Sequence, residues 1–263
     1  MIGLGVKPTV EQAAVHGHPT LSQSTRRALK IAHCSDIHLD GDHHPHDHYR
    51  DVFSALLDEI QRQSPDLLLI AGDLFDANDA TESTILWSME TLAAQPFPIA
   101  MIPGNHDCLD GDPIYRRHDF DNIANVDMFA APEGELRQYA DLGLSIWGKG
   151  MIDHTPEHRP LGGCPPAQRS DMWFLGMAHG IYVPAGSSTG RSSQIAHEEI
   201  EASPCDYLAF GHHHAALTID TPGAIGVFCG SPTDTIGGGA TYAIIDLVPT
   251  KRPGVTIKTL STP

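Results

Sequence analysis

The stretch Leu67-Leu68-Leu69-Ile70-Ala71-Gly72-Asp73-Leu74-Phe75-Asp76 constrains this chain more than any other. Its apolar residues run without alternation, the pattern of a strand buried on both faces, and such strands belong to sheets covered by helices. Gly72 closes the run and delivers Asp73 to the carboxyl edge of the sheet. Loops converge at that edge in α/β proteins, and sites form there. One aspartate after a strand is weak evidence, but several other strand-like runs in the chain also stop at a residue able to ligate a metal.

Taken in order, Leu29-Lys30-Ile31-Ala32-His33-Cys34-Ser35-Asp36-Ile37-His38 reads as a first strand opening into a loop at Asp36. In extended chain, residues two apart face the same way, so Asp36 and His38 can address one point. The His- and Asp-rich loop 40–48 leaves the same strand end; it reads first as a solvated polar loop and second as an extra metal or substrate contact. Asp47 is the predicted cap of a helix whose apolar residues Tyr49, Val52, Phe53, Leu56, Leu57 and Ile60 share one face. The strand of 66–71 then closes a strand–helix–strand unit, which implies parallel pairing. A second helix is predicted from Glu82 to Ala94. A short strand, Ile99 to Ile102, runs into Pro103-Gly104-Asn105-His106-Asp107, where neighbours face opposite ways: Asn105 can ligate a metal while His106 projects toward substrate.

Pieces at 135–139 and 142–147 predict a hairpin around Asp141-Leu142-Gly143. The Pro/Gly/His-rich loop from Gly148 to Arg169 offers His154, His158, Arg159 and Arg169 as candidate substrate contacts. Residues 173–178 form a buried strand ending at His179, a helix is expected over 194–202, and 206–211 form a strand ending at His212-His213-His214. There His212 and His214 point together and His213 points away. Short strands through 217–260 read as a second sheet packed on the first. Residues 1–28 lack a sustained period and read as a loosely ordered arm without chemistry, leaving 29–263 as one domain.

Charge and cysteine content narrow the class. Sixteen basic residues against thirty-three acidic give a formal charge of −17, which opposes unaided binding to nucleic acid or an anionic membrane. Five cysteines without a CxxC pair propose neither a disulfide framework nor a zinc ribbon; Cys34 reads as a small buried hydrophobe and Cys108 as a partly exposed neighbour of the site. With no signal-type segment or bilayer-length apolar span, the expected setting is soluble and cytoplasmic, with no membrane partner.

The strand ends collect Asp36, His38, Asp73, Asn105, His179, His212 and His214. Seven oxygen and nitrogen donors exceed the needs of one ion and suit two ions that share a carboxylate, for which Asp73 is the best placed. Donors rich in oxygen and free of sulfur favour manganese, with iron or zinc admitted. The ordered set Asp-x-His, Gly-Asp-x-x-Asp, Gly-Asn-His-Asp, isolated His-Gly and Gly-His-x-His, over residues 30 to about 247, resembles the calcineurin-like metallophosphoesterase superfamily.

That resemblance implies a four-layer α-β-β-α sandwich of two mixed sheets flanked by helices. It gives one metal to Asp36, His38, Asp73 and His214 and the other to Asp73, Asn105, His179 and His212. It makes His106 the residue that assists the leaving group or contacts phosphate, oriented by Asp76. The implied activity is hydrolysis of a phosphodiester by in-line attack of a metal-bridging hydroxide; a phosphomonoesterase and a non-catalytic interaction scaffold are the competing expectations. The wording of 33–39, 72–76 and 206–212 with Gly230-Ser231-Pro232 looks most like the double-strand-break repair exonucleases. No DNA-binding cap or basic patch accompanies it, so the expected substrate stays open between a small phosphodiester and DNA.

Overall fold

The computed structural model describes residues 26–43, 45–167, 169–233 and 237–261. The expected N-terminal arm lies outside the described residues except for its last three. Two six-stranded mixed sheets face each other. The first holds β1 (Leu29–Cys34), β2 (Leu67–Ala71), β3 (Ile99–Ile102), β4 (Val126–Met128), β13 (Thr241–Leu247) and β14 (Gly254–Thr259), in the order β14-β13-β1-β2-β3-β4. Strands β1 to β4 are mutually parallel, as the strand–helix–strand reading requires, and β13 and β14 add antiparallel strands beside β1. The second holds β5 (Glu135–Tyr139), β6 (Leu144–Gly148), β7 (Trp173–His179), β10 (Tyr207–Gly211), β11 (Leu217–Asp220) and β12 (Ile225–Phe228), ordered β11-β12-β10-β7-β6-β5. A small parallel pair, β8 (Ile181–Val183) with β9 (Gln194–Ala196), stands apart.

Apolar side chains from both sheets, among them Ile31, Leu67, Leu69, Leu175, Met177 and Ala209, fill the space between them. The alternate residues of the first sheet, including Leu68, Ile70 and Met101, pack on α1 (His46–Gln63) and α2 (Glu82–Ala93). This is why β2 is apolar at every position: each face has a different hydrophobic neighbour. The far face of the second sheet, with Leu208 and Phe210, is covered by Ile195, Ile200 of α4 (His197–Glu201) and neighbouring residues. A short α3 (Ile114–Arg117) sits in the connection between β3 and β4. The order helix, sheet, sheet, helix is the expected sandwich.

Three local expectations differ from the structure. Helix α1 begins at His46, with Pro45 at its N-cap and no side-chain cap; Asp47 lies in the first turn, where its charge favours the helix dipole. The segment 194–202 splits, because Gln194–Ala196 pairs with β8 before the chain turns into α4. The strands of 217–260 do not share one sheet: β11 and β12 extend the second, whereas β13 returns to the first and pairs with β1 from Leu29↔Leu247 to His33↔Ala243. Alternation reports which face a residue takes, but not which strand lies beside it.

Candidate metal centre

Strands β1, β2 and β3 of the first sheet and β7 and β10 of the second all release their chains at one end of the sandwich, and the candidate ligands meet across the seam. The backbone there is unusual. Asp36, His38, Asp73 and His212 take φ angles of 56°, 55°, 53° and 96°, the left-handed region that non-glycine residues seldom occupy. Asp36 and His38 thus converge through left-handed turns and not through the extended chain expected from sequence. Neighbouring hydrogen bonds hold this geometry: Ile37 and His38 N–H both donate to the Asp73 carbonyl (2.9 and 3.1 Å), and Leu39 N–H donates to Leu74 O (2.9 Å). Gly104 has no side chain for a specific reason, since a Cβ there would collide with the Asp73 carboxylate.

The donors form two overlapping groups. In one, His38 Nε2 lies 3.1 Å from His214 Nε2 and 3.8 Å from Asp73 Oδ2, and His214 Nε2 lies 3.9 Å from Asp36 Oδ1. In the other, His179 Nε2 lies 3.3 Å from Asp73 Oδ2 and 3.0 Å from Asn105 Oδ1, which His212 Nδ1 meets at 2.8 Å. Each of Asp36–His38–His214 and Asp36–Asp73–His179 brings three ligand atoms within 4.8 Å of one another. His212 and His214 therefore enter opposite halves of the cluster. His213 does turn elsewhere, its Nδ1 2.8 Å from Ala215 O and its ring 5.7 Å from that of Phe228.

The electrostatics set the charge that the cluster favours. Burial alone disfavours charge on Asp73, but His179 beside it holds the carboxyl well below the usual range. Burial likewise opposes the imidazolium of His179, yet Asp73 and Asp36 outweigh it and push its pKa up to about 9. His212, which is desolvated and faces His179, falls to about 3. Two buried carboxylates thus demand positive charge at the seam, and His212, His214 and an amide oxygen beside them do not supply it. That combination fits divalent cations with oxygen and nitrogen ligands.

Several supporting residues carried no role in the sequence reading. Asp107 is buried and accepts from Leu74 N–H (2.9 Å), Phe75 N–H (3.2 Å), Gly104 N–H (2.7 Å) and the Tyr115 hydroxyl (2.5 Å), locking the loop after β2 to the loop after β3. Ser35 Oγ donates to the Asp36 carboxylate and Ser231 Oγ to its carbonyl (2.7 Å), while His212 N–H bridges both Asp36 carboxylate oxygens (2.9 and 3.1 Å). Asp107 closes the Gly-Asn-His-Asp motif and Ser231 lies within Gly230-Ser231-Pro232, but those patterns do not say what either residue holds.

The Asp76 carboxylate, expected to orient His106, instead lies 3.0 Å from His38 Nδ1 and 3.8 Å from His106 Nδ1. His106 Nδ1 donates to the Asp76 backbone carbonyl (2.7 Å), so Asp76 positions it through the main chain. Among the other candidates, His154 reaches the site, its ring 5.8 Å from that of His212 and its Nδ1 3.0 Å from Ser193 Oγ. His158 and Arg159 line a separate hollow with Lys149. Arg169 pairs with Asp171 on the surface. In the loop 40–48, Asp40 turns to α2 and accepts from Thr81 N–H (2.8 Å) and Thr84 Oγ1 (2.6 Å), while His43 is exposed beside Asp42 (3.8 Å).

Residues 29–216 match the family model for calcineurin-like phosphoesterases. The chain belongs to the calcineurin-like phosphoesterase family. Two curated relatives agree. One is the uncharacterized metallophosphoesterase YhaO of Bacillus subtilis (strain 168), 26% identical over 221 residues that span 75% of this chain and 52% of the relative. The other is the glycerophosphodiester phosphodiesterase GpdQ of Enterobacter lignolyticus (strain SCF1), 29% identical over 222 residues, 77% of this chain and 70% of the relative. The chain thus spans about half the length of the first relative. Solved structures share the fold: TT1561 of Thermus thermophilus at TM-score 0.59 and 12% identity, covering 89% of this chain and all of that one, and a dimetal phosphatase from Danio rerio at TM-score 0.59 and 11% identity, covering 89% and 99%.

Proposed function

We propose that the protein is a dinuclear metal-dependent phosphodiesterase. The observation that carries this reading is the position of one oxygen, Asp73 Oδ2, 3.8 Å from His38 Nε2 and 3.3 Å from His179 Nε2, between the two ligand groups. One ion would be held by Asp36, His38, Asp73 and His214 and the other by Asp73, Asn105, His179 and His212. Two divalent ions in this pocket would lower the pKa of bound water, clamp phosphate oxygens and neutralise charge in an in-line displacement. Manganese suits a donor set without sulfur, and iron or zinc would also bind.

The chain's own contribution at the leaving group is His106. Its ring stands edge-on to that of His38, 4.6 Å between centroids, and its side chain is 42% exposed, so it borders both the ligands and solvent. With Nδ1–H committed to the Asp76 carbonyl, Nε2 is the nitrogen left to pass a proton to a departing alkoxide. The glycerophosphodiester phosphodiesterase relative supports a diester as substrate. The formal charge of −17 favours a small diester over DNA, even though the motif wording is exonuclease-like.

The test is hydrolysis of bis-p-nitrophenyl phosphate beside p-nitrophenyl phosphate by protein stripped of metal and refilled with manganese, with Asp73→Asn as control. Faster turnover of the diester and an inactive control are expected. Preference for the monoester would make the protein a phosphomonoesterase. Inactivity on both with manganese, iron and zinc would favour a non-catalytic scaffold.

A further inference from the structure

A cavity of about 600 Å³ adjoins the metal centre and shares His212 and His214 with it. Its size falls in the range of small-molecule sites. The wall away from the ligands has a different character, formed by Ile181, Tyr182 and Leu217, with His213 and Arg191 completing the lining. The flat groups here are held in place. The Tyr182 hydroxyl lies 2.9 Å from His197 Nδ1, and the ring of His213 rests against Phe228. Arg191 sits on a loop pinned by its own N–H to Thr189 Oγ1 (3.2 Å) and by Gln194 Nε2 to its carbonyl (2.8 Å). Among the described residues its guanidinium makes no hydrogen bond or ion pair, so it is available to a ligand.

These features favour one kind of occupant. A polyol such as a glycerol head group would leave the hydrocarbon of Ile181 and Leu217 against its hydroxyls, with few donors and acceptors to replace lost water. A flat aromatic group would cover those side chains, meet the rings of Tyr182 and His213 at their faces or edges, and accept stacking from the planar guanidinium. The same guanidinium adds positive charge beside a phosphate in an otherwise acidic protein. Resting on the phosphoesterase reading for the position of the phosphate, we propose that this cavity seats the retained alcohol of the substrate and that this alcohol bears a planar aromatic ring, a nucleobase or an aryl group. Tyr182, Leu217 and Arg191 are then the residues that determine specificity.

The test compares binding of three monoesters to manganese-refilled protein by isothermal titration calorimetry: adenosine 5′-monophosphate, phenyl phosphate and glycerol 3-phosphate. At least one aromatic ester should bind about tenfold or more tightly than glycerol 3-phosphate, and the stronger of the two separates a base-sized from an aryl-sized occupant. Tyr182→Ala and Leu217→Gln, each checked for an intact thermal transition, should shrink that ratio to within about twofold. Equal affinity for all three esters would overturn the inference, as would variants that weaken all three alike. Turnover of bis-p-nitrophenyl phosphate on the same preparations reports on the hydrolase reading separately. Protein that is inactive but prefers aromatic esters keeps the cavity and loses the activity; active protein without the preference does the reverse.

Discussion

At the scale of single residues, position relative to the seam between the sheets decides what each titratable group does. His106 is tied through Nδ1 and otherwise open, so His106→Asn should lower kcat by roughly 10² to 10⁴. Metal content measured by atomic emission should stay unchanged, since the proposed ligand is Asn105 and not His106. His33 is the contrasting case. It lies fully buried between the sheets with Nδ1 2.8 Å from the Tyr207 hydroxyl, and burial lowers its pKa to about 3. The unfolded chain binds that proton near pH 6.5, so the stability His33 confers is complete above that pH and drains as pH falls toward 3. The loss approaches about 1.4 kcal/mol per pH unit for this one proton. Urea melts at pH 7.5 and 5 should show it, and a His33→Leu/Tyr207→Phe double variant should flatten that part of the slope.

At the scale of elements, the site depends on loops that hold one another. Asp107 accepts four hydrogen bonds that join the loop after β2 to the start of the loop after β3. Asp107→Ala would strand three buried N–H groups and a hydroxyl, and a loss of about 3–5 kcal/mol is expected from the cost of such groups. Urea denaturation measures it, and Tyr115→Phe should cost only about 1 kcal/mol on the same scale. Gly104→Ala tests geometry in place of hydrogen bonding. Because a Cβ there meets both the carboxylate and the backbone nitrogen of Asp73, the variant should lose stability and bind manganese far more weakly, with a urea melt and equilibrium dialysis as the readouts.

At the scale of the whole molecule, the proposed ligands come from both sheets: Asp36, His38, Asp73 and Asn105 follow strands of the first, and His179, His212 and His214 belong to or follow strands of the second. A bound cation would therefore tie the two halves of the sandwich together. Free metal at a hundred times its Kd contributes about 2.7 kcal/mol, and at this chain length each kcal/mol shifts Tm by roughly 2–4 °C. Chelation should lower Tm by about 5–10 °C, reversed by adding manganese; an unchanged Tm would mean that the folded protein does not bind the metal. Among the described residues no helix is long and apolar enough to cross a membrane.

The strands that carry ligands were legible from sequence because local patterns encode them: apolar runs of strand length, each ended by Gly or a polar donor, need no knowledge of partners. The candidate ligands were legible for the same reason, since Asp36, His38, Asp73, Asn105, His179, His212 and His214 all stand at such ends. What depended on contacts between distant segments was not. The return of β13 to β1, the capture of the Asp76 carboxylate by His38, the left-handed turns at Asp36 and His38, and the Asp107 clamp each need a partner remote in sequence or a backbone state that L-residues avoid unless their surroundings impose it. Sequence alone determined which side chains can ligate and on which strands they ride. Only the packing of two sheets decided that they share one seam, because the hydrophobic burial that brings those sheets together acts on whole faces and carries no local signature.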